Sequence, residues 1–183
     1  SIGGLGYKDM KQHYEAFSKN DANFVPLSPL SFITRTADLF PERTAVIYGA
    51  RTYSWAQSYA RMRRLGSALE GVGLGIGDTV SVIAANTPEM FEAHFGVPMA
   101  GCVLNAINTR LEADTISYIL ENSDCRLLIA DTAFHATVVP ALASLDPVVR
   151  DRITVIDIRD AEMGEMPNIG DQDYEAFLDS GDP

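Results

Sequence analysis

The side chains that could do chemistry gather in one stretch, Asp78–Arg110. His94 falls on a helical face with Met90, Phe91 and Pro98, where a titratable imidazole either meets a ligand or has its hydrogen bond satisfied locally in a core or interface. Pro98 has no amide hydrogen for the His94 carbonyl, so a bend is expected there. Asn86-Thr87 and Asn105–Arg110 each follow the end of an apolar run. If those runs are parallel strands, both segments lie at the carboxyl edge of a sheet, where open α/β folds bind ligands. Turn and cap chemistry by Thr87 and the asparagines is the plainer alternative. His94, Asn105, Asn108 and Arg110 are therefore the substrate-binding candidates. Glu89 and Glu92 read as solvating charges on an exposed helix face.

Other chemistries lack their parts. A metal site needs several imidazole or thiolate ligands at short spacing. Cys102, Cys125 and three scattered histidines do not provide it, so no metal ligand is assigned and the two cysteines read as buried free thiols. His13 and His135 read as surface residues. No Gly-x-Ser-x-Gly nucleophile motif occurs. The only lysines are Lys8, Lys11 and Lys19, so nothing beyond the leading segment offers an ammonium to a phosphate or an activated carbonyl. The glycines of Gly71–Gly77 follow a helix and precede a strand, the reverse of a dinucleotide loop, and read as a helix exit.

The elements that would position these residues are legible from hydrophobic period. Val80–Ala85 and Cys102–Ile107 are nearly continuous apolar runs flanking a helical stripe that starts at Thr87-Pro88. Strands apolar along their whole length belong in a parallel sheet covered on both faces. Upstream, Ser28 caps a helix with Pro29 at its first position, and Leu30, Ile33, Ala37 and Phe40 recur at helical spacing up to Pro41. Thr44–Tyr48 and Arg51–Tyr53 form a hairpin around Gly49-Ala50. Ser54–Gln57 has capping-box form, opening a helix with Trp55, Tyr59, Met62, Gly66 and Leu69 on one face and Arg61, Arg63 and Arg64 off it. Downstream come a helix over 111–123, a strand over 126–130, a helix over 132–145 capped by Asp131, and a strand over 153–158. Residues 160–170 read as loop and 172–178 as a short acidic helix. The fold class is α/β: a doubly wound, mainly parallel sheet with helices on both faces, plus a short hairpin.

Net charge is −11, of which residues 160–183 contribute eight acids and no base. Without clustered positive charge, nucleic acid is excluded as a partner. No apolar run is long enough for a transmembrane segment. Two cysteines and no signal-peptide core suit a reducing compartment, and the cytoplasm is the expected location.

The order of these segments resembles the opening of the adenylate-forming acyl-CoA synthetases, most closely the medium-chain fatty-acyl-CoA ligases. The likeness rests on Arg51-Thr-Tyr-Ser-Trp55, the Gly-Ile-Gly-Asp-Thr-Val step ending at Val80, the passage from Ala100-Gly101 to Asn108-Thr109-Arg110, and Ser117-Tyr-Ile-Leu120. It covers about 28–160, and the Tyr174–Pro183 ending fits as well. The resemblance implies that a fatty acid carboxylate attacks the α-phosphate of ATP to give an acyl-adenylate, from which CoA thiol displaces AMP. It implies ATP, CoA and Mg²⁺ for a full-length enzyme and none bound to this fragment, because the family's phosphate loop, magnesium residues and lysine-bearing C-terminal domain come later. No catalytic or cofactor-binding residue is carried over. On this reading 1–27 is a peripheral arm, 28–160 the α/β part of the large N-terminal domain, and 161–183 an acidic loop and short helix leading to a truncation. A partial domain exposes strand edges and apolar patches, so a homo-oligomer is expected. A stand-alone flavodoxin-like binding domain and an oligomerisation module remain the alternatives.

Overall fold

The structure, a computed structural model, describes Phe24 and residues 27–183. The expected arm over 1–27 lies outside the described residues except for Phe24 and Leu27. The elements are α1 (Pro29–Leu39), β1 (Thr44–Tyr48), β2 (Arg51–Ser54), α2 (Trp55–Gly71), β3 (Thr79–Ile83), α3 (Pro88–Met99), β4 (Val103–Ala106), α4 (Ala113–Asn122), β5 (Cys125–Asp131), α5 (His135–Ala143), α6 (Pro147–Asp151), β6 (Thr154–Ile158), β7 (Gln172–Asp173) and α7 (Tyr174–Asp179). Five strands form one parallel sheet in the order β4-β3-β5-β6-β7, and β1 and β2 pair as a separate antiparallel hairpin.

Both faces of the sheet are covered, which explains the unbroken apolar runs. Alternate residues of each strand enter opposite cores. Val80 and Val82 of β3, Leu127 and Ile129 of β5, and Ile156 and Ile158 of β6 meet Leu65 and Leu69 of α2, Val97 of α3 and Phe177 of α7. Ile83, Leu128, Ala130 and Val155 turn the other way onto Ile116 and Leu120 of α4 and Val138 and Leu142 of α5. Burying each such Leu, Ile or Val stabilises by about 1.5–3 kcal/mol.

Local signals fix the element ends. Ser28 accepts from Leu30 N at 3.2 Å with Pro29 at the first helical position. Ser54 Oγ accepts from Gln57 N at 3.3 Å and Gln57 Oε1 accepts from Ser54 N at 2.8 Å, the reciprocal box expected. After α2, Gly73 adopts φ +82°, a helix stop rather than a ligand loop. The helix expected over 132–145 is instead a 3₁₀ turn at Thr132–Phe134, with Asp131 Oδ1 capping Ala133 N at 2.9 Å, followed by α5. Pro140 lies inside α5 and supplies no amide donor, which keeps that helix short. The acidic segment over 172–178 begins as β7 on the sheet edge before turning into α7, whose Tyr174, Phe177 and Leu178 are buried. Pairing with β6 and burial of those three side chains override the acidic composition.

Helices α2 and α3 approach closely at Gly66 and Gly96. A Cβ on Gly96 would lie 2.8 Å from Met62 O and 2.7 Å from Leu65 Cδ2. Replacing an interior helical glycine by alanine ordinarily gains up to about 1 kcal/mol. At Gly96 the overlap with a backbone carbonyl costs about 1–3 kcal/mol and wins. Gly96→Ala is therefore expected to lower stability, whereas Gly71→Ala, with open space around it, is neutral or mildly stabilising. Urea unfolding followed through Trp55, the single tryptophan, reads both; a stabilised Gly96→Ala refutes the close approach.

Candidate functional site: the carboxyl edge of the sheet

The carboxyl ends of β3, β5 and β6 meet the hairpin and the start of α3. An apolar groove of about 590 Å³ opens there between β1 and α3, lined by Ala45–Tyr48, Asn86–Pro88, Met90, Phe91, His94 and Phe95. Thr87 accepts from Met90 N at 3.4 Å and starts α3 beside Pro88. Trp55, Phe91 and Phe95 form an edge-to-face row, with ring centroids 6.4 and 5.5 Å apart.

His94 is exposed at the rim. Its Nδ1 lies 2.7 Å from Met90 O; a carbonyl only accepts, so Nδ1 carries the hydrogen and Nε2 is the atom left for the groove. The local hydrogen bond expected for this residue is present, but the ring is at the surface rather than in a core. Asn105 Nδ2 donates to Ser81 Oγ at 3.0 Å and Ser123 Oγ at 3.3 Å, tying β4 to β3 and to the end of α4. Asn108 Oδ1 accepts from Arg110 N at 2.9 Å within its turn, and Arg110 is exposed. Of the four candidates only His94 lines the groove.

Glu89 and Glu92 are not solvating charges: they are 3% and 2% exposed. Glu89 Oε1 accepts from Arg51 Nη1 of β2 at 2.5 Å. Glu92 takes Arg61 Nε at 2.5 Å and Nη2 at 3.2 Å, and the hydroxyl of Tyr174 at 2.9 Å. Arg61 also holds Glu175 of α7 through two bonds of 2.8 and 2.6 Å. Burial alone would suppress the Arg61 charge, but its bonds to Glu175 and Glu92 hold the guanidinium above its usual range. Burial raises Glu92 despite the pull of Arg61 and Tyr174. Glu175 is held low by its bond to Arg61. An apolar stripe read by period assigns α3's acids to solvent, because Arg51 and Arg61 are 38 and 31 residues away in sequence.

A second polar knot, also unread in the sequence, lies under the hairpin. Tyr48 donates to Asp160 Oδ2 at 2.5 Å, and this bond, followed by burial, pushes the phenol up to about 12. Asp131, fully buried, uses Oδ1 as a cap and leaves Oδ2 without a partner; burial raises its carboxyl. The available signal was position alone: Asp131 and Asp160 sit at or just past the ends of apolar strands.

These residues do not compose a cradle for ATP and magnesium. The described residues contain no lysine and no group of three or more His, Cys, Asp or Glu able to hold a metal ion. Asn108, Thr87 and Asp131 already serve turns and caps. No step is assigned to either group on this chain.

A family model described as AMP-binding enzyme matches residues 33–180. This chain belongs to the AMP-binding enzyme family. It is 40% identical over 173 residues to the acetate–CoA ligase CCL3 of Humulus lupulus, covering 90% of this chain and 30% of the relative. It is 38% identical over 164 residues to the peroxisomal benzoate–CoA ligase of Arabidopsis thaliana, covering 89% and 28%. The chain thus spans under a third of the length of these relatives. Among solved structures, a benzoate CoA ligase from Burkholderia xenovorans LB400 matches with TM-score 0.73 and 22% identity over 86% of this chain and 29% of that one. The anthranilate CoA ligase AuaEII matches with TM-score 0.74 and 20% identity over 90% and 30%. At those identities the likeness establishes the fold, a partial domain of the AMP-binding type.

The buried Asp131 gives a prediction with a definite sign. Its folded carboxyl titrates above the ordinary aspartate value, so the neutral form is favoured and ionisation opposes folding. The stability this lends is fully present at acid pH and is lost as pH rises through the folded pKa. Asp131→Asn keeps the cap acceptor and removes the charge. Relative to the unsubstituted chain, it is expected to gain stability as pH rises from 4 to 7, because the charge it removes is the one that opposes folding there. Urea midpoints across that range check it; a gain that grows on acidification refutes it.

Proposed function

We propose that this chain is the N-terminal part of an ATP-dependent acyl- or aryl-CoA ligase that converts a carboxylic acid, ATP and CoA into the thioester, AMP and pyrophosphate through an acyl-adenylate. Residues 28–160 would be the α/β part of its large domain, and 161–183 the passage into the rest. The observation that carries this reading is the family match over 33–180 in a chain spanning under a third of relatives named as CoA ligases. ATP, CoA and Mg²⁺ would be held by parts beyond this segment, which supplies scaffold and, through His94, a rim position near the groove.

The substrate class is a small carboxylic acid. The relatives are named for acetate, benzoate and butyrate, and a medium-chain fatty acid is the finer reading that the sequence motifs suggest. Buried thiols at Cys102 and Cys125, raised by burial, suit a reducing interior. The cytoplasm and the peroxisome, the latter the stated location of several relatives, both meet that description. No helix among the described residues is long and apolar enough to cross a membrane. A homo-oligomer would cover apolar surface left open at Val103, 53% exposed on edge strand β4.

Acid-dependent ATP–pyrophosphate exchange is the test, run from acetate to decanoate and with benzoate. The full-length protein from the same gene is expected to exchange with at least one acid and then release thioester with CoA, while the 183-residue chain alone stays at background. Exchange by the chain alone, or none by the full-length protein with any acid, overturns the reading.

A further inference from the structure

Among the described residues, the groove between β1 and α3 has one unused backbone edge and one unused apolar face. We propose that it is a strand seat: one β-strand from the ligase polypeptide outside this chain pairs edge-on with β1 and lays an apolar face on α3. The inference rests on the reading of the chain as part of a longer ligase.

Four observations converge on a strand. First, among the described residues β1 pairs only with β2, and a lone two-stranded ribbon is marginal in water. Second, the groove is lined by four consecutive residues of β1, Ala45–Tyr48. Successive side chains point to opposite faces, so a strand presenting a face would show every second residue, and a run of four marks its open edge. Third, that edge is unguarded. Thr44–Tyr48 contains no charge and no proline, the devices by which proteins protect edges that stay free. Fourth, α3 is apolar on both sides. Ala93 and Val97 enter the sheet core, while Met90, Phe91 and Phe95 line the groove and are only half-buried. Glu89 and Glu92 are paired with Arg51 and Arg61 and His94 stands at the rim, so this second apolar stripe is the part of α3 left to be covered.

The remaining polypeptide is well placed to supply the strand. Asp182 N donates to Ser67 Oγ at 3.1 Å, and Pro183 sits in a cleft with Leu30, Tyr59, Gly66 and Met99. Phe91, Phe95 and Met99 follow at i, i+4 and i+8 on α3, one stripe of the helix. Pro183 thus ends beside Met99, one turn beyond Phe95 on the helix that walls the groove, and the relatives have more than twice this chain's length still to place. The occupant should alternate apolar and polar residues, with the apolar set toward Phe91 and Phe95.

Hydrogen–deuterium exchange of peptides over 44–48 tests this, compared between the 183-residue chain and the full-length protein, with α2 as internal reference. β1 is expected to exchange roughly tenfold or more slowly in the full-length protein. In the full-length protein, Ile47→Lys, at a position 74% exposed in this chain, should return β1 to fast exchange while α2 stays protected. Equal β1 exchange in both proteins overturns the seat even if the full-length protein makes thioester. Protection in the chain alone that grows with its concentration assigns the groove to a second copy, and protection on adding octanoate or benzoate assigns it to a small ligand; either overturns the proposal. Slow β1 exchange in a full-length protein without ligase activity keeps the seat and removes the ligase reading.

Discussion

The contact that sets the rest of the molecule is the near backbone-to-backbone approach of α2 and α3. It exists because Gly66 and Gly96 put no side chain between the helices, leaving Met62 O and Gly96 within a distance that no Cβ tolerates. That crossing fixes how far α3 sinks toward the sheet. Once α3 is this close, Ala93 and Val97 reach the strands, and the acids three residues apart on the same helix can no longer stay in water. The electrostatics of the chain follow from a packing decision.

Two carboxylates forced inside need cations with good geometry, since an unpaired buried charge costs several kcal/mol. Arg51 and Arg61 meet that need from two different elements, so the pairs also act as ties. Arg51 fastens the hairpin to the start of α3, and Arg61 fastens α3 and the terminal helix α7 to α2. Arginine suits both positions better than lysine, because its planar fork can serve Glu92 and Glu175 together while stacking over Tyr53 at 5.2 Å.

What could be read in advance follows the range of each interaction. The strands were legible because burial on both faces leaves an unbroken apolar signature, and α1 and α2 because caps and first-turn proline act over three residues. The split of the 132–145 segment was missed: Asp131 favours a tight 3₁₀ turn before α5, and the apolar period is indifferent to that step. Glu89, Glu92, Tyr48 and Asp160 were misread or unseen because their partners are separated by 31 to 112 residues. At the candidate site, position was legible and role was not. Asn105, Asn108 and Arg110 do lie just past or within the end of β4, but two of them are spent on cross-links and turns, and only His94 faces the groove.

The carboxyl edge of a doubly wound sheet is where ligands bind in many folds, yet location creates no chemistry without spare donors. At this edge the polar groups are largely consumed. Thr87 and Asp131 cap, Asn108 closes a turn, Arg51 neutralises Glu89, and Tyr48 is tied to Asp160. What stays unspent among the described residues is mainly apolar, an aromatic row and the neighbouring groove, beside the backbone groups of one strand edge and His94 Nε2. Apolar surface at the place where a ligand pocket is expected suits association with more protein better than recognition of a triphosphate, which demands clustered cations.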